Sequence, residues 1–494
     1  MLGPHSRREF LRRSAVVAGA GFAAPWALDL AGLASAAPDG DDYRALVCLF
    51  MYGGNDHYDT FVPNDAASYA AYSAARTGIA RARDTILPIS PIDGFTGAGT
   101  FGFAPELAEL HQIFDEGALA VMPNIGTLIR PLDKNGYENR SNRPPQLFSH
   151  NDQQSYWQAS SPEGATTGWG GRIGDLVLDG NASSTFTCVS VAGNAVMMTG
   201  RDAFQYQVSS GGVTQLRNDT FRYDPAVAGI REVMELQPAG LFPSTYTGVS
   251  RRALDAADDL SAAVRSAETR HDFDAMFPAD SGNGDLDRAS SQLKMVAKLI
   301  GAGRSMGLRR QVFFVSMGGF DNHSGLLQRH PQLLAGLNGS LAAFHRATQQ
   351  MGVDENVTSF TASDFGRTLT SNGDGSDHGW GGHHLVMGGS VRGKRVYGTV
   401  PTIADDGPDD VGRGRLLPTT AVDQYASTLA RWMGAGSSEL DAVVPNIGNY
   451  SVTDLGFMRE PGDPRDDTGD QPGGGDSRDL GTGDYRRATR INQG

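Results

Sequence analysis

The chain contains only two cysteines among its 494 residues, which excludes a site built from several thiolates. Cys48 and Cys188 each lie in a short apolar stretch, L-V-C-L-F and F-T-C-V-S, that predicts a β-strand. Two thiols cannot assemble a metal–thiolate cluster. We expect two buried free thiols, and a single disulfide between them is the alternative in an oxidising compartment.

A surplus of basic residues is also absent, because 42 Lys and Arg stand against 56 Asp and Glu and give a formal net charge of -14. Proteins that bind nucleic acids or anionic membranes carry clustered Lys and Arg. We therefore expect no nucleic-acid partner. The acidity does not exclude an anionic substrate, because a bound dication reverses the local field.

Long apolar runs are missing as well. No segment after the N-terminus has the roughly 18 consecutive apolar residues of a membrane-spanning helix, so we expect no membrane span in the mature chain. The hydrophobic content of 39% is sufficient for the core of a large folded α/β domain. The sequence does not indicate a protein partner.

The N-terminus carries a targeting signal. Ser6–Leu11 is a twin-arginine pattern, residues 15–24 form a modest apolar run, and Ala34–Ala36 supplies a small-residue cleavage site. A buried N-terminal helix is the alternative, but it would not need paired arginines. We expect export by the twin-arginine pathway to the periplasm, the cell surface or the medium. The expected organisation is a signal peptide (1–36), one α/β domain (37–457) with an insertion or lid (193–285), and a disordered tail (458–494).

The stretch from 360 to 389 is unusually rich in glycine, carboxylates and imidazoles and has little apolar filler. This composition predicts a long loop after a strand. Asp supplies hard oxygen ligands and neutral His supplies nitrogen, a combination that suits a divalent metal. The alternative is a glycine-rich turn whose polar groups only satisfy one another. The polar side chains of the stretch include Asp364, Arg367, Asp374, Asp377, His378, His383 and His384.

Three predicted strands run directly into glycine-containing loops that carry Asp, or Asp with His. In a parallel sheet such strand ends lie along one edge, so the clusters would converge. Carboxylates that converge without a cation raise one another's pKa, and one or two divalent ions (zinc, calcium or manganese) would relieve this repulsion. The strands end near Met51, Ser316 and Ala362, and their loops carry Asp56, Asp321, His323 and Asp364.

A fourth polar cluster begins a predicted helix at Ser149. This hydroxyl either caps the helix or acts as a nucleophile, and His150 beside it is a candidate general acid or base. Arg367 or Arg172 could stabilise developing negative charge. For Arg367, a structural salt bridge to a nearby carboxylate is an equally supported interpretation. For Asp364 and His150, hydrogen bonding to a metal ligand is as plausible as direct ligation.

Seven motifs are distinctive in combination: Gly53–Asp56, Phe148–His150, Gly168–Arg172, Gly318–His323, Ser363–Thr368, Asp377–Gly382 and Val422–Tyr425. Together they resemble the domain-of-unknown-function fifteen-hundred-and-one family of bacterial proteins exported by the twin-arginine route. The resemblance covers nearly the whole mature chain apart from the tail.

That family is similar to the alkaline-phosphatase and sulfatase superfamily. The resemblance implies an alkaline-phosphatase-like three-layer α/β fold, with a mostly parallel sheet covered by helices on both faces. It also implies a site with two metals, often zinc, or with calcium in sulfatases. The implied metal ligands are Asp56, the pair Asp377 and His378, and a second set of Asp321 and His323 completed by His383 or His384.

The sequence departs from the superfamily pattern in two places. The usual Asp-x-x-x-His appears here as Asp321-x-His323, and no Cys-x-Pro-Ser-Arg is present, so formylglycine chemistry is not supported. Ser149 is therefore the first candidate nucleophile and Thr60 the second. The leading hypothesis is an exported metal-dependent hydrolase of anionic phosphate or sulfate esters that uses a metal-activated serine or water. The alternatives are a cell-surface binding or assembly protein on the same fold, and a metal-dependent mutase or transferase.

Overall fold

The structure is a computed structural model that describes residues 42–97, 99–140, 142–213, 241–278, 284–460 and 463–464. The described residues from Arg44 onward belong to one compact unit. The predicted signal peptide and most of the predicted tail lie outside the described residues.

Short strands and mostly short helices alternate along the described chain. The strands are Arg44–Met51 (β1), Phe61–Pro63 (β2), Leu87–Pro88 (β3), Phe101–Phe103 (β4), Leu119–Gly126 (β5), Cys188–Ser190 (β6), Tyr206–Gln207 (β7), Arg310–Met317 (β8), Val357–Ser363 (β9), Arg367–Ser371 (β10), Ser376–His378 (β11), Gly382–Gly388 (β12), Arg395–Val396 (β13) and Thr420–Ala421 (β14). The helices are His57–Thr60 (α1), Ala66–Ala75 (α2), Ala108–Asp115 (α3), Lys134–Glu138 (α4), His150–Ala159 (α5), Trp169–Val177 (α6), Leu241–Arg270 (α7), Phe273–Met276 (α8), Gly284–Gly303 (α9), Leu326–Gln350 (α10), Val422–Met433 (α11) and Leu440–Val443 (α12).

A nine-stranded sheet forms the centre of the domain, in the order β13-β5-β12-β9-β1-β8-β6-β7, with β14 also paired to β5. Neighbouring strands are parallel except at β12, which is antiparallel to both β5 and β9. Met51 at the end of β1 pairs with Met317 of β8 and Ser363 of β9. The carboxyl ends of these three strands therefore lie side by side, as predicted.

Helices cover both faces of the sheet, which explains why β1 is a continuous apolar run. Leu46, Cys48 and Phe50 face a core that includes residues of α5, α6 and α11. The alternating residues Val47 and Leu49 are equally buried and point to the other face. On that other side, α9 packs against β8 and α10. The predicted α/β fold with a mostly parallel sheet and helices on both faces is thus confirmed.

Both cysteines are free thiols in this core, and neither forms a disulfide. Burial raises the pKa of Cys48 well above its usual range and raises the pKa of Cys188 to about 12. The expectation of two buried free thiols is confirmed.

The prediction of a long loop between 360 and 389 is wrong. This stretch contains the hairpin β10–β11 and the strand β12, which lies within the central sheet between β5 and β9. Every residue of β12 is buried. Its two histidines and its terminal glycines leave only Leu385–Met387 as an apolar run, which is too short to reveal a strand in the sequence.

The predicted insertion (193–285) contains β7, which extends the sheet, and α7, which packs against α9. Residues 214–240 and 279–283 of this segment lie outside the described residues, and its role as a lid stays a prediction. Within the described chain, no helix combines the length and apolar character needed to cross a membrane.

Candidate metal centre

The loops that follow β1, β8 and β9 meet at Gly53. Its N–H donates to Asp364 Oδ2 at 3.1 Å, and its carbonyl accepts from Arg367 Nη1 at 2.8 Å. Gly53 has a φ of +113°, and a Cβ there would lie 2.4 Å from the backbone nitrogen of Asp321. Only glycine fits this approach, which fixes Asp321 beside the end of β1.

Arg367 is fully buried and holds Asp321 in place. Its Nη1 lies 3.0 Å from Asp321 Oδ1, while Nε and Nη2 donate to the carbonyl of Ser376 at 3.1 and 2.6 Å. Although partial burial opposes ionisation of Asp321, the hydrogen bond from Arg367 and its charge hold the pKa of that carboxyl below its usual range. All three guanidinium nitrogens are thus engaged by the protein itself.

His378 has its protonation pattern fixed by a backbone carbonyl. Its Nδ1 lies 2.8 Å from the carbonyl oxygen of Phe148, and its Nε2 lies 3.3 Å from Asp321 Oδ1. A carbonyl only accepts hydrogen bonds, so we assign the proton to Nδ1 and a lone pair to Nε2. Partial burial lowers the pKa of His378, which favours this neutral ring.

His323 is oriented in the same way by a carboxylate. Its Nδ1 lies 3.2 Å from Asp377 Oδ1, whose pKa is held down by the hydrogen bond from Asn372. Its Nε2 lies 3.2 Å from Asp321 Oδ1 and 2.9 Å from His378 Nε2. In the neutral rings two nitrogen lone pairs would therefore face each other across 2.9 Å, and a cation between them relieves that repulsion.

His150 adds a third imidazole. Its Nδ1 lies 2.5 Å from Asp364 Oδ2, and this hydrogen bond raises the pKa of His150. Its buried Nε2 has no hydrogen-bond partner among the described residues and lies 3.6 Å from Asp321 Oδ2. The donor atoms of His150, Asp321 and His378 all lie within 4.8 Å of one another. Three Nε2 atoms thus converge on one carboxylate.

This donor set fits a transition-metal ion of the zinc type. Zinc–nitrogen bonds of 2.0–2.1 Å in tetrahedral geometry separate neighbouring ligand atoms by about 3.3 Å. The contacts among Asp321 Oδ1, His323 Nε2 and His378 Nε2 span 2.9–3.3 Å. Imidazole-rich sites suit zinc better than calcium, which prefers oxygen ligands. The side chains of Asp321 and His323 are 47% and 44% exposed, so the cluster is open to solvent on their side.

Asp56, a predicted metal ligand, is not part of this cluster. It is fully buried, and its Oδ2 accepts from Arg76 at 2.8 Å and from Ser376 Oγ at 2.7 Å. Its Oδ1 accepts from the N–H of Asp59 at 3.1 Å. Burial opposes ionisation, but the charge of Arg76 holds the pKa of Asp56 well below its usual range. The structure therefore places Asp56 in a buried ion pair.

His384 and His383, on β12, are also placed among protein groups of the core. His384 Nδ1 lies 3.4 Å from Thr361 Oγ1, and its ring packs edge-on against Trp157. His383 Nδ1 accepts from the N–H of Asn124 at 3.0 Å. Burial lowers the pKa of both rings to about 3, so both are neutral. Neither joins the group around Asp321.

The two candidate nucleophiles make local hydrogen bonds. Ser149 Oγ donates to Asp152 Oδ2 at 2.9 Å, directly before His150 at the start of α5, and its side chain makes no capping hydrogen bond. Thr60 Oγ1 is buried and donates to the carbonyl of Asp56 at 2.8 Å. Ser149, being half-buried and next to His150, is the better placed of the two.

Two features of the site were not identified from the sequence, and one predicted residue makes other contacts. The carbonyl of Phe148 is a backbone group and leaves no sequence signal. The pairing of Arg76 with Asp56 joins residues from separate elements. Arg172, a candidate for charge stabilisation, instead donates to the carbonyls of Val443 and Ala159 at 2.7 and 2.9 Å.

Residues 43–444 match the sequence profile of the family described as "Protein of unknown function (DUF1501)". No curated protein matches the chain.

Similar solved structures include the PsFucS1 sulfatase from Pseudoalteromonas sp., with 10% identity, a TM-score of 0.35, and coverage of 88% of this chain and 75% of the sulfatase. They also include Ps i-CgsB in complex with k-i-k-neocarrahexaose, with 10% identity, a TM-score of 0.32, and coverage of 82% and 76%. A mutant of the alkaline phosphatase PafA has 11% identity, a TM-score of 0.24, and coverage of 66% and 64%. Likenesses this low carry no argument about the site.

Proposed function

The chain belongs to the DUF1501 family. We propose that it is an exported metal-dependent hydrolase of phosphate or sulfate esters. The observation that carries the proposal is the convergence of three imidazole Nε2 atoms on the carboxylate of Asp321. Metal-ligating histidines almost always donate their other ring N–H to a carboxylate or a carbonyl. His150, His323 and His378 each have such an acceptor at Nδ1.

Four residues would hold the metal: Asp321, His150, His323 and His378. A divalent ion bound there supplies a Lewis acid that polarises an ester oxygen and lowers the pKa of a neighbouring water or hydroxyl. Asp364 and Asp377 keep the Nδ1 protons in place and add negative charge behind two of the imidazoles. Arg367 fixes the carboxylate that the imidazoles share.

The attacking group in this proposal is Ser149 or a water molecule. The Ser149 hydroxyl donates a hydrogen bond to Asp152 Oδ2, and this carboxylate would therefore be placed to accept the hydroxyl proton during attack. Ser149→Ala separates the two possibilities: loss of turnover with full metal content supports the serine, and unchanged turnover supports water.

The decisive measurement is metal content by elemental mass spectrometry on protein purified without chelators or affinity-resin metals. We compare the wild type with His378→Asn and Asp321→Asn, and with His271→Asn, which alters a histidine on a different surface, as the matched control. The expected result is bound metal in the wild type and control and its loss in the two site variants. Loss of hydrolysis of p-nitrophenyl phosphate or sulfate should accompany the loss of metal.

Absence of metal from the wild type, even after reloading with zinc, manganese or calcium, would refute the proposal. Bound metal without turnover on either class of ester would instead favour the non-catalytic binding protein.

A further inference from the structure

The arginines predicted from the sequence to stabilise substrate charge are committed to protein acceptors. Arg367 is fully buried with every nitrogen engaged, and Arg172 binds backbone carbonyls. Two further arginines, from the segment 412–415, contact residues that adjoin the cluster. They are Arg413, whose side chain is 60% exposed, and the half-buried Arg415.

Both arginines contact the residues that hold the histidines. Arg413 Nη1 lies 3.3 Å from Asp377 Oδ2, and Asp377 in turn orients His323. Arg415 Nε donates to the carbonyl of His378 at 2.9 Å, and its guanidinium lies over the ring of Phe148 at 4.7 Å. Arg413 thus contacts the residue that orients His323, and Arg415 contacts the backbone of His378.

The backbone of this segment is held firmly against β10. Gly412, Arg413 and Gly414 have successive φ values of +112°, +61° and +71°. The carbonyls of Arg413 and Gly414 accept from Thr370 Oγ1 and from the N–H of Leu369, both at 2.9 Å. A non-glycine residue in the left-handed region persists only where the surroundings enforce it, and such residues concentrate at functional sites.

We propose that Arg413 and Arg415 bind the anionic phosphate or sulfate group of the substrate at the rim of the metal centre; this rests on the proposed function. The charges favour such a ligand. Three carboxylates (Asp321, Asp364 and Asp377) are balanced by Arg367 and a bound dication. The two rim arginines then leave a net charge of two positive units facing solvent, which matches a dianionic ester group.

Arginine also suits the task chemically. Its planar fork binds two oxygens of a phosphate or sulfate group at once. Within the described residues, the ion pair of Arg413 and the hydrogen bonds of Arg415 leave guanidinium donors of both side chains available for such an anion. Arg413 would exchange or share its contact with Asp377 when the anion arrives.

The test is calorimetric binding of inorganic phosphate and sulfate to metal-loaded protein of measured metal content. The variants are Arg413→Gln, Arg415→Gln and the double change, and Arg265→Gln on the exposed face of α7 is the matched control. We expect each single change to weaken phosphate binding about 10-fold or more, with the control unchanged and the metal content intact. Arg413→Lys should restore part of the loss.

Unchanged phosphate affinity in the metal-loaded variants would overturn the inference. A loss confined to metal affinity would also overturn it. In either case Arg413 would only neutralise Asp377, and Arg415 would only donate to the carbonyl of His378. The proposed function fails separately. A wild-type chain without metal refutes the hydrolase, while phosphate binding that still depends on both arginines would support the anion site. Absence of both metal and phosphate binding would refute both.

Discussion

Replacement of Asp56 by Asn separates a structural acid from a metal-binding one. Asp56 and Arg76 form an ion pair in which both side chains are fully buried, with their nearest atoms 2.8 Å apart. The substitution keeps the shape and the acceptor oxygen for Ser376 but leaves the guanidinium of Arg76 without its counter-charge. We expect a stability defect and no loss of metal.

The magnitude follows from the burial of the pair. Removal of one partner from a buried ion pair costs about 3–5 kcal/mol, because an uncompensated charge is left in the interior. Arg76 would keep its 3.4 Å contact from Nη1 to the carbonyl of Thr368 and its position over the Tyr72 ring, so we expect a cost near the lower end of this range, about 3 kcal/mol. With an unfolding entropy near 2.1 cal/mol/K per residue over roughly 400 residues, this corresponds to a fall in Tm of about 3–4 °C.

The assay is a thermal melt followed by circular dichroism, combined with elemental analysis of the same sample. Since the folded pKa of Asp56 lies well below its unfolded value near 4, its contribution is fully present above about pH 4 and is lost progressively as the pH falls from there towards the folded pKa. The difference in Tm between wild type and Asp56→Asn should therefore shrink in acid. A variant that loses metal while its Tm is unchanged would refute the assignment of Asp56 as structural.

Two further predictions concern residues next to the site. Asp377→Asn should weaken zinc affinity about 10- to 100-fold, measured by competition with a chromophoric chelator, because the Nδ1 proton of His323 loses its charged acceptor; an unchanged affinity would remove His323 from the ligand set. Gly366→Ala should destabilise the fold, since its Cβ would lie 2.1 Å from the carbonyl of Gly381 and 2.4 Å from His57 Nδ1. Gly180→Ala, whose Cβ meets no atom within 4 Å, is the control, and equal melting temperatures for the two variants would contradict this packing.

The strands that carry the site loops could be predicted from the sequence because their residue patterns are simple. β1 and β8 are covered on both faces, and each is an apolar run that stops where its polar loop begins. β9, V-T-S-F-T-A-S, is equally buried but rich in Thr and Ser, and its β-branched residues favour a strand. β12 was predicted as loop because His383 and His384 occupy buried positions in it. Buried imidazoles interrupt the apolar pattern on which strand prediction depends.

Strand-end acids were harder to interpret, because position alone does not tell a ligand from a salt-bridge partner. Asp56 and Asp321 both follow buried strands in glycine-containing loops. Arg76, at the end of α2, reaches both the β1 loop and the carbonyl of Thr368 on β10, and its charge pairs with the carboxylate of Asp56. No spacing rule in the sequence connects these elements, since their proximity is created by the sheet order.

The distinction that the structure adds is which atom of each residue is already used. Asp56 has both carboxylate oxygens occupied in the interior. Asp321 has Arg367 on one side and three imidazole nitrogens on the other, while its side chain stays half exposed. An acid whose neighbours are arginines is balanced without a metal. An acid that also faces imidazoles with their Nδ1 positions filled, as Asp321 does, offers a cation a ready set of ligands, and for this reason the proposed metal centre is at Asp321 rather than at Asp56.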